Sequence, residues 1–195
     1  SAAETLSEAV FDEWRELSGQ EVIEGLGSTE LLHIYMSNAP EKKKLGAAGR
    51  RVPGYELELR DAKGNVLDDN EEGVLWVRGH SSAPLYWNRP AKTAETMQGD
   101  WVNTGDRFSR DKEGYYFFKG RADDLIKVSG QWVHPLEVER CLQTHVRIAE
   151  CAVLTHGLED QRMTLRAVVV LKDGVPANVE SITRELKDFV KRMLL

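Results

Sequence analysis

The stretch that decides the fold is Gly120-Arg121-Ala122-Asp123-Asp124-Leu125-Ile126-Lys127-Val128-Ser129-Gly130, followed by Val133-His134-Pro135-Leu136-Glu137-Val138-Glu139. It sets an arginine, two adjacent carboxylates, a lysine and a glycine between two regions of different pattern. Upstream, the short runs Tyr55 to Arg60, Val74 to Arg78 and Tyr115 to Lys119 are separated by turn clusters. Those clusters are Asp61-Ala62-Lys63-Gly64-Asn65 and Asp111-Lys112-Glu113-Gly114, so this region reads as short strands and turns. Downstream the pattern is mixed. Pro135 suits the first residue of a helix running to about Thr144, where its missing N–H is not needed. Ala152-Val153-Leu154 and Ala167-Val168-Val169-Val170-Leu171 read as buried strands. Ile182, Leu186, Phe189, Val190 and Met193 form the apolar face of a last helix. The class predicted is α+β.

Toward the start, Leu6, Val10, Trp14 and Leu17 fall near helical spacing, which predicts an amphipathic helix over residues 5–17 that ends at Ser18-Gly19. Val22 and Ile23 suggest a short strand leading into the turn Gly25-Leu26-Gly27-Ser28-Thr29-Glu30. A further charged turn, Trp101-Val102-Asn103-Thr104-Gly105-Asp106, lies between that turn and the decisive stretch.

The bulk numbers narrow the function classes. The 195 residues are 41% hydrophobic and 30% charged, enough apolar material for a core. A net charge of −6 gives no support to nucleic-acid binding, which calls for a basic face. Lys42-Lys43-Lys44 reads as a solvated loop. No apolar run reaches the roughly 18 residues that span a bilayer, and no signal-peptide pattern is present, so the cytoplasm is the expected compartment. Cys141 and Cys151 have no metal-ligand spacing and are expected to be reduced and mostly buried. His80, His134, His145 and His156 show no ligand spacing or nucleophile pairing. Tyr86 and Trp87 read as packing residues.

The motifs, taken in order, resemble the adenylate-forming superfamily of acyl- and aryl-CoA ligases, luciferases and peptide-synthetase adenylation domains. The residues that carry the resemblance are Gly-Ser-Thr-Glu (27–30), Gly-x-Leu-x-Val-Arg-Gly (73–79), Thr-Gly-Asp (104–106) and Gly-Arg-x-Asp-Asp-x-Ile-Lys-x-x-Gly (120–130). Two segments are similar to benzoate-CoA ligase and its aryl relatives: Gly27-Ser28-Thr29-Glu30-Leu31-Leu32-His33-Ile34 and Ser81-Ser82-Ala83-Pro84-Leu85-Tyr86-Trp87-Asn88. The resemblance implies the end of a large AMP-binding domain over 1–122, with a β-rich barrel-like subdomain, and a small mobile α+β domain over 123–195, hinged at Asp123. It further implies that the chain is a C-terminal fragment of an enzyme that is inactive by itself, lacking the family's phosphate loop and its late adenylation lysine. A homodimer is an open partner state.

The implied activity is ATP-dependent conversion of an aromatic acid, benzoate in the first place, to an acyl-adenylate and then to a CoA thioester. ATP, Mg²⁺ and coenzyme A follow as cofactors. A tight Gly27-Ser28-Thr29 turn offers N–H groups and two hydroxyls to phosphate. Glu30 offers a hard oxygen of the kind Mg²⁺ takes; the resemblance puts Thr29 on phosphate and Glu30 on the metal. The bland alternative is a helix-capping Ser/Thr followed by an exposed acid. Asp106 can accept from vicinal ribose hydroxyls and Arg121 can donate to the same sugar or to phosphate. Otherwise Asp106 caps a turn and Arg121 pairs with Asp123. By resemblance Lys127 serves thioester formation and Gly130 lets the pantetheine arm pass close to backbone. Leu32 and Ile34 are expected as apolar wall of the acid slot, and His33 as a donor to the carboxylate or a satisfied core histidine. The alternatives in function are a medium-chain fatty acyl-CoA ligase, an adenylating enzyme that loads a carrier protein, and a noncatalytic nucleotide- or acyl-binding module.

Overall fold

The computed structural model describes residues 1–2, 6, 8–128, 131–157, 163–174 and 178–194. They form two compact units, Ser1–Lys119 and Gly120–Leu195. The α+β prediction stands.

The first unit opens with α1 (Glu8–Ser18). The expected stripe is not the one that packs: Phe11 is buried, whereas Val10, Trp14 and Leu17 are exposed. The segment is tied by the Leu6 N–H to the buried Glu24 carboxylate at 2.8 Å, and in that setting Phe11 is the residue turned inward. Val22 and Ile23 form no strand. The strand is the glycine-containing β1 (Gly25–Gly27), paired antiparallel with β2 (Ile34–Ser37), which in turn pairs with β3 (Arg50–Arg51). A Cβ on Gly27 would stand 2.5 Å from the His33 carbonyl oxygen, so this hairpin closes too tightly for any side chain there. Propensity scales disfavour such a strand; close backbone approach requires it.

The larger sheet runs β4 (Tyr55–Arg60), β5 (Glu72–Gly79), β7 (Trp101–Arg110), β6 (Met97–Gln98), with β8 (Tyr116–Arg121) also on β7. Helix α2 (Pro90–Thr96) precedes β6. Both predicted turns are built alike. Asp61 accepts the N–H groups of Lys63 and Asn65, and Asp111 those of Glu113 and Tyr115, the side-chain mimicry that makes Asp a turn residue. Alternation along β4 and β5 buries Leu57, Leu59, Leu75 and Val77 with Phe108 and Tyr116. Each such side chain contributes about 1.5–3 kcal/mol on leaving water. On alternate positions the Arg60 guanidinium stacks on Trp76 (4.6 Å) and Trp101 (4.7 Å), and Arg78 on Trp101 (4.9 Å).

In the second unit β9 (Ile126–Val128) pairs antiparallel with β10 (Gln131–Val133), Lys127 opposite Trp132. Helix α3 (Pro135–Gln143) starts at the predicted proline, and β11 (Ile148–Gly157) pairs with β12 (Met163–Leu171) before α4 (Val179–Leu194). Neither strand is buried throughout. Helices α3 and α4 cover one face of this ribbon, where Val153, Cys151, Val169 and Leu165 join Leu142, Leu186 and Val190. Leu154, Val168 and Val170 stay more than half exposed on alternate positions. The contiguous apolar runs suggested strands covered on both faces; a two-stranded ribbon with helices on one side leaves every second residue in water. Glu185 of α4 ties back to His145 (3.3 Å) and Arg147 (3.0 Å), and Phe189 packs edge-on against His145. Cys141 and Cys151 are free thiols, Cys141 buried and Cys151 partly so. No helix among the described residues is long and apolar enough to cross a membrane.

Candidate active site

The turn after β1 is a single 3₁₀ turn, Thr29–Leu31, entered from extended backbone at Ser28. Ser28 does not cap it: the side chain makes no cap bond, and Oγ is buried with no hydrogen-bond partner among the described residues. A buried hydroxyl without a partner is costly in a finished fold and marks a place where a ligand oxygen would satisfy it. Thr29 is exposed. Glu30 is half-buried and fixed at both ends. Its Oε1 accepts the Tyr86 hydroxyl at 2.5 Å, and its backbone carbonyl accepts the Ala83 N–H at 2.7 Å. Burial first, and then this bond to Glu30, push the Tyr86 phenol above its ordinary pKa, so it stays a donor.

Thr104-Gly105-Asp106 lies inside strand β7 and not in a loop between elements. Val74 pairs with Arg107 and Trp76 with Asn103, so three residues of β7 bulge opposite Leu75. The Thr104 hydroxyl donates to the Leu75 carbonyl (2.9 Å) and accepts the Asp106 N–H (3.1 Å); Asn103 Oδ1 accepts the Gly105 N–H. Gly105 sits at φ +72°, the left-handed region that favours glycine. Bulges of this kind re-aim a side chain out of the sheet's alternation, and here the re-aimed residue is Asp106.

The charges of both carboxylates act on one buried phenol. Tyr35 on β2 is 1% exposed. Desolvation, then the charge of Asp106, then that of Glu30, hold its pKa far above the ordinary phenol range. The Gly27–Glu30 turn and the Thr104–Asp106 bulge, carried by two different sheets, thus both bear electrostatically on Tyr35.

The residues after Glu30 divide. Leu32 is 76% exposed with φ +71°, its N–H bonded to the Thr29 carbonyl; Ile34 is half-buried. His33 is exposed, yet both ring nitrogens have partners: Nδ1 the Ile34 carbonyl (3.0 Å) and Nε2 the Tyr55 hydroxyl (3.2 Å). In the second unit Arg121 Nε donates to Asp123 Oδ1 at 3.3 Å, both side chains exposed, on the bend between β8 and β9. Lys127 is exposed on β9. Gly130 lies outside the described residues.

The donor set suits a nucleotide and one hard cation. Among the described residues no three His, Cys, Asp or Glu side chains gather to hold a metal by themselves. Mg²⁺ commonly takes a single protein carboxylate and completes its shell with phosphate and water. Glu30 beside the unpartnered Ser28 hydroxyl fits that pattern. Three tyrosines at the site were missed in this role: Tyr35, Tyr55, expected only as the start of a strand, and Tyr86, expected as a packing residue and found donating to Glu30. Alternation along Ile34–Ser37 would have turned Ile34 and Met36 inward and Tyr35 outward, yet Tyr35 and Met36 are both buried, and nothing local pairs Tyr86 with a residue 56 positions away. Nor is Trp87, its neighbour, a packing residue; it is 90% exposed.

Known proteins are similar to this chain in sequence and fold. The model of the AMP-binding enzyme family matches residues 1–87. The chain is 42% identical over 195 residues to a benzoate–CoA ligase of Thauera aromatica, covering all of this chain and 37% of that protein. It is 39% identical over 191 residues to a 4-hydroxybenzoate–CoA/benzoate–CoA ligase of Rhodopseudomonas palustris, covering 98% of this chain and 35% of that protein. A crystal structure of a benzoate CoA ligase from Burkholderia xenovorans superposes with a TM-score of 0.88 at 40% identity, over all of this chain and 38% of the other. The chain thus spans little more than a third of the length of the relatives it matches. On sequence and fold together, it belongs to the adenylate-forming family of AMP-binding enzymes.

Proposed function

We propose that the full-length protein converts an aromatic carboxylic acid, benzoate first among them, to its adenylate with ATP and then to the CoA thioester. The observation that carries this reading is that Glu30, a metal-competent carboxylate beside the buried and unpartnered Ser28 hydroxyl, and Asp106, a diol-competent one, both bear on the buried Tyr35. The kinship to benzoate–CoA ligases supports the choice of acid.

The residues divide the work. Ser28 and Thr29 hydroxyls and the N–H groups of the turn meet the phosphates. Glu30 holds Mg²⁺, which when bound offsets phosphate charge. Asp106 accepts the ribose hydroxyls, and Arg121 donates to the same sugar or to phosphate. Neither carboxylate needs to change protonation for these roles. Tyr35 stays protonated, its neutral phenol favoured by burial and by the charges of both carboxylates. Leu32, His33 and Ile34 wall the acid slot. Asp123 is the hinge, and Lys127 brings positive charge to the thioester step, where Gly130 admits the pantetheine arm.

The test is the full-length protein with ATP, Mg²⁺, CoA and a panel of aryl and medium-chain acids, the products read by mass. Benzoyl-CoA as the dominant thioester is the expected result. Octanoyl-CoA would keep the reaction class and remove the aryl slot. Acyl transfer to a phosphopantetheinyl protein in preference to CoA would make it a carrier-loading enzyme. Tight ATP binding without acid-dependent pyrophosphate release would leave a binding module.

A further inference from the structure

A chain of hydroxyls ends on His33. The Tyr55 hydroxyl, 3.2 Å from His33 Nε2, lies 2.7 Å from Ser81 Oγ, and Ser81 Oγ donates to the Leu31 carbonyl at 2.7 Å. The two rings also meet edge to face, centroids 5.7 Å apart at 81°, a favoured aromatic geometry. Tyr55 itself is buried.

Strand register builds the seat of that phenol. Tyr55, the first residue of β4, lies opposite Gly79, the last of β5. A Cβ on Gly79 would stand 2.4 Å and 2.6 Å from two carbons of the Tyr55 ring. Only glycine lets the ring lie across the strand end and reach the 31–33 segment. Ser81 follows two residues later, so one strand end fixes the ring and supplies the second hydroxyl.

The chemistry of the ring follows from its partners. A carbonyl only accepts, so the contact to Ile34 needs the proton on Nδ1. With that proton on Nδ1, Nε2 presents a lone pair to the Tyr55 hydroxyl; because Ser81 gives its own proton to Leu31, the single Tyr55 O–H is shared between Nε2 and Ser81 Oγ, with the Leu31 carbonyl a further acceptor at 3.4 Å. The ring cannot flip or turn without losing both bonds, and neither nitrogen is left over for a substrate carboxylate.

We propose that Tyr55 and Ser81 are positioning residues that lock His33 as a rigid flat wall, and that the locked plane selects planar acids over flexible chains. This rests on the reading above in which residues 32–34 line the acid slot. A wall that can rotate yields to an alkyl chain; a fixed plane favours a ring stacked or edged against it.

The experiment is a cycle of Tyr55→Phe, His33→Ala and the double variant in the full-length protein, with Ser81→Ala as a milder fourth and thermal unfolding to verify folding. Two readouts are taken: the ratio of kcat/KM for benzoate to that for octanoate, and the ¹⁵N signature of the His33 ring in histidine-labelled protein. Tyr55→Phe is expected to lower the ratio about ten-fold through the acid KM, with the ATP KM unchanged, and to have no further effect once His33 is alanine. The ring signal should pass from one tautomer to a mixture, with Ser81→Ala intermediate. An equal effect of Tyr55→Phe with and without His33 overturns the proposal, as does an unchanged tautomer. If His33→Ala leaves the ratio unchanged while the tautomer responds to Tyr55→Phe, the lock exists but the acid-slot reading has failed, and the selective role falls with it.

Discussion

The Tyr86 hydroxyl donates to Glu30 Oε1 at 2.5 Å across 56 residues of sequence. This is the shortest route by which the 81–88 segment acts on the 3₁₀ turn, and a second bond, Ala83 N–H to the Glu30 carbonyl, runs beside it. Tyr86 is held in place from its own backbone, whose N–H donates to Thr93 Oγ1 at 3.0 Å in α2. Removing the phenolic oxygen would leave Glu30 with its charge and without this orientation. Hydrogen bonds to charged groups contribute about 1.5–3 kcal/mol, less where water competes. Tyr86→Phe is therefore expected to raise the Mg²⁺ concentration needed for half-maximal pyrophosphate release about ten-fold, with the acid KM unchanged. A magnesium titration of the full-length protein checks it; an unaltered midpoint would remove Tyr86 from the metal's surroundings.

The bulge at Thr104–Asp106 carries the second prediction. Gly105 at φ +72° has no side chain to clash with its own carbonyl, and an L-residue there costs roughly 1–2 kcal/mol. If the strand relaxes to escape that cost, the bonds from Thr104 to Leu75 and Asp106 open. Gly105→Ala should lower the melting temperature by a few degrees and raise the ATP KM more than the acid KM. The comparison with Asp106→Asn, which removes the diol acceptor and leaves the bulge, separates position from charge.

The residues show what sequence could and could not reveal. The spacing of Tyr55 to Arg60 named β4 to the residue, and Pro135 named the start of α3, because both signals are local: alternation and a ring that suits a first turn. Val22-Ile23 misled for the opposite reason. Their β-branched side chains favour a strand, but the strand forms where Gly25 and Gly27 allow β2 to approach. Thr104-Gly105-Asp106 was legible as a motif and not as a bulge, since the bulge is defined by Leu75 on another strand. The Glu30–Tyr86 and His33–Tyr55 pairs depend on register between distant segments, which no window of sequence contains.

Lys127 supplies the third prediction. It is exposed on β9 opposite Trp132, and its proposed work is confined to thioester formation. Lys127→Ala should leave acid-dependent pyrophosphate release within about two-fold while slowing acyl transfer to CoA by ten-fold or more, an increment of roughly 1.4 kcal/mol per factor of ten in the barrier. Measuring the two half-reactions separately decides the matter. Equal losses in both would make Lys127 a structural residue or an adenylation residue.

The last prediction concerns acid stability. Asp111 closes the turn before β8: Oδ1 accepts the N–H groups of Glu113 and Tyr115, and Oδ2 pairs with Lys44 at 2.6 Å. Burial works to raise its pKa, but the Lys44 bond and the Tyr115 N–H outweigh it and hold the carboxyl below its ordinary value. A carboxyl depressed in the folded state binds its proton more weakly there than in the unfolded chain. Its contribution to stability is therefore complete above the ordinary carboxylate range and is lost as pH falls through the folded pKa. Lys44 shares its charge with Glu113 at 2.9 Å, so the turn is clamped by one ammonium between two acids. Asp111→Asn keeps the shape and most of the N–H bonds but removes the titrating group. Its melting temperature should be lower than that of the parent at neutral pH and should fall less steeply between about pH 5 and pH 3, the two curves converging in acid. A variant whose curve runs parallel to the parent's down to pH 3 would show that the depressed Asp111 carboxyl is not a source of the acid limb, and would shift that role to Glu56, held low by Arg78 across β4 and β5.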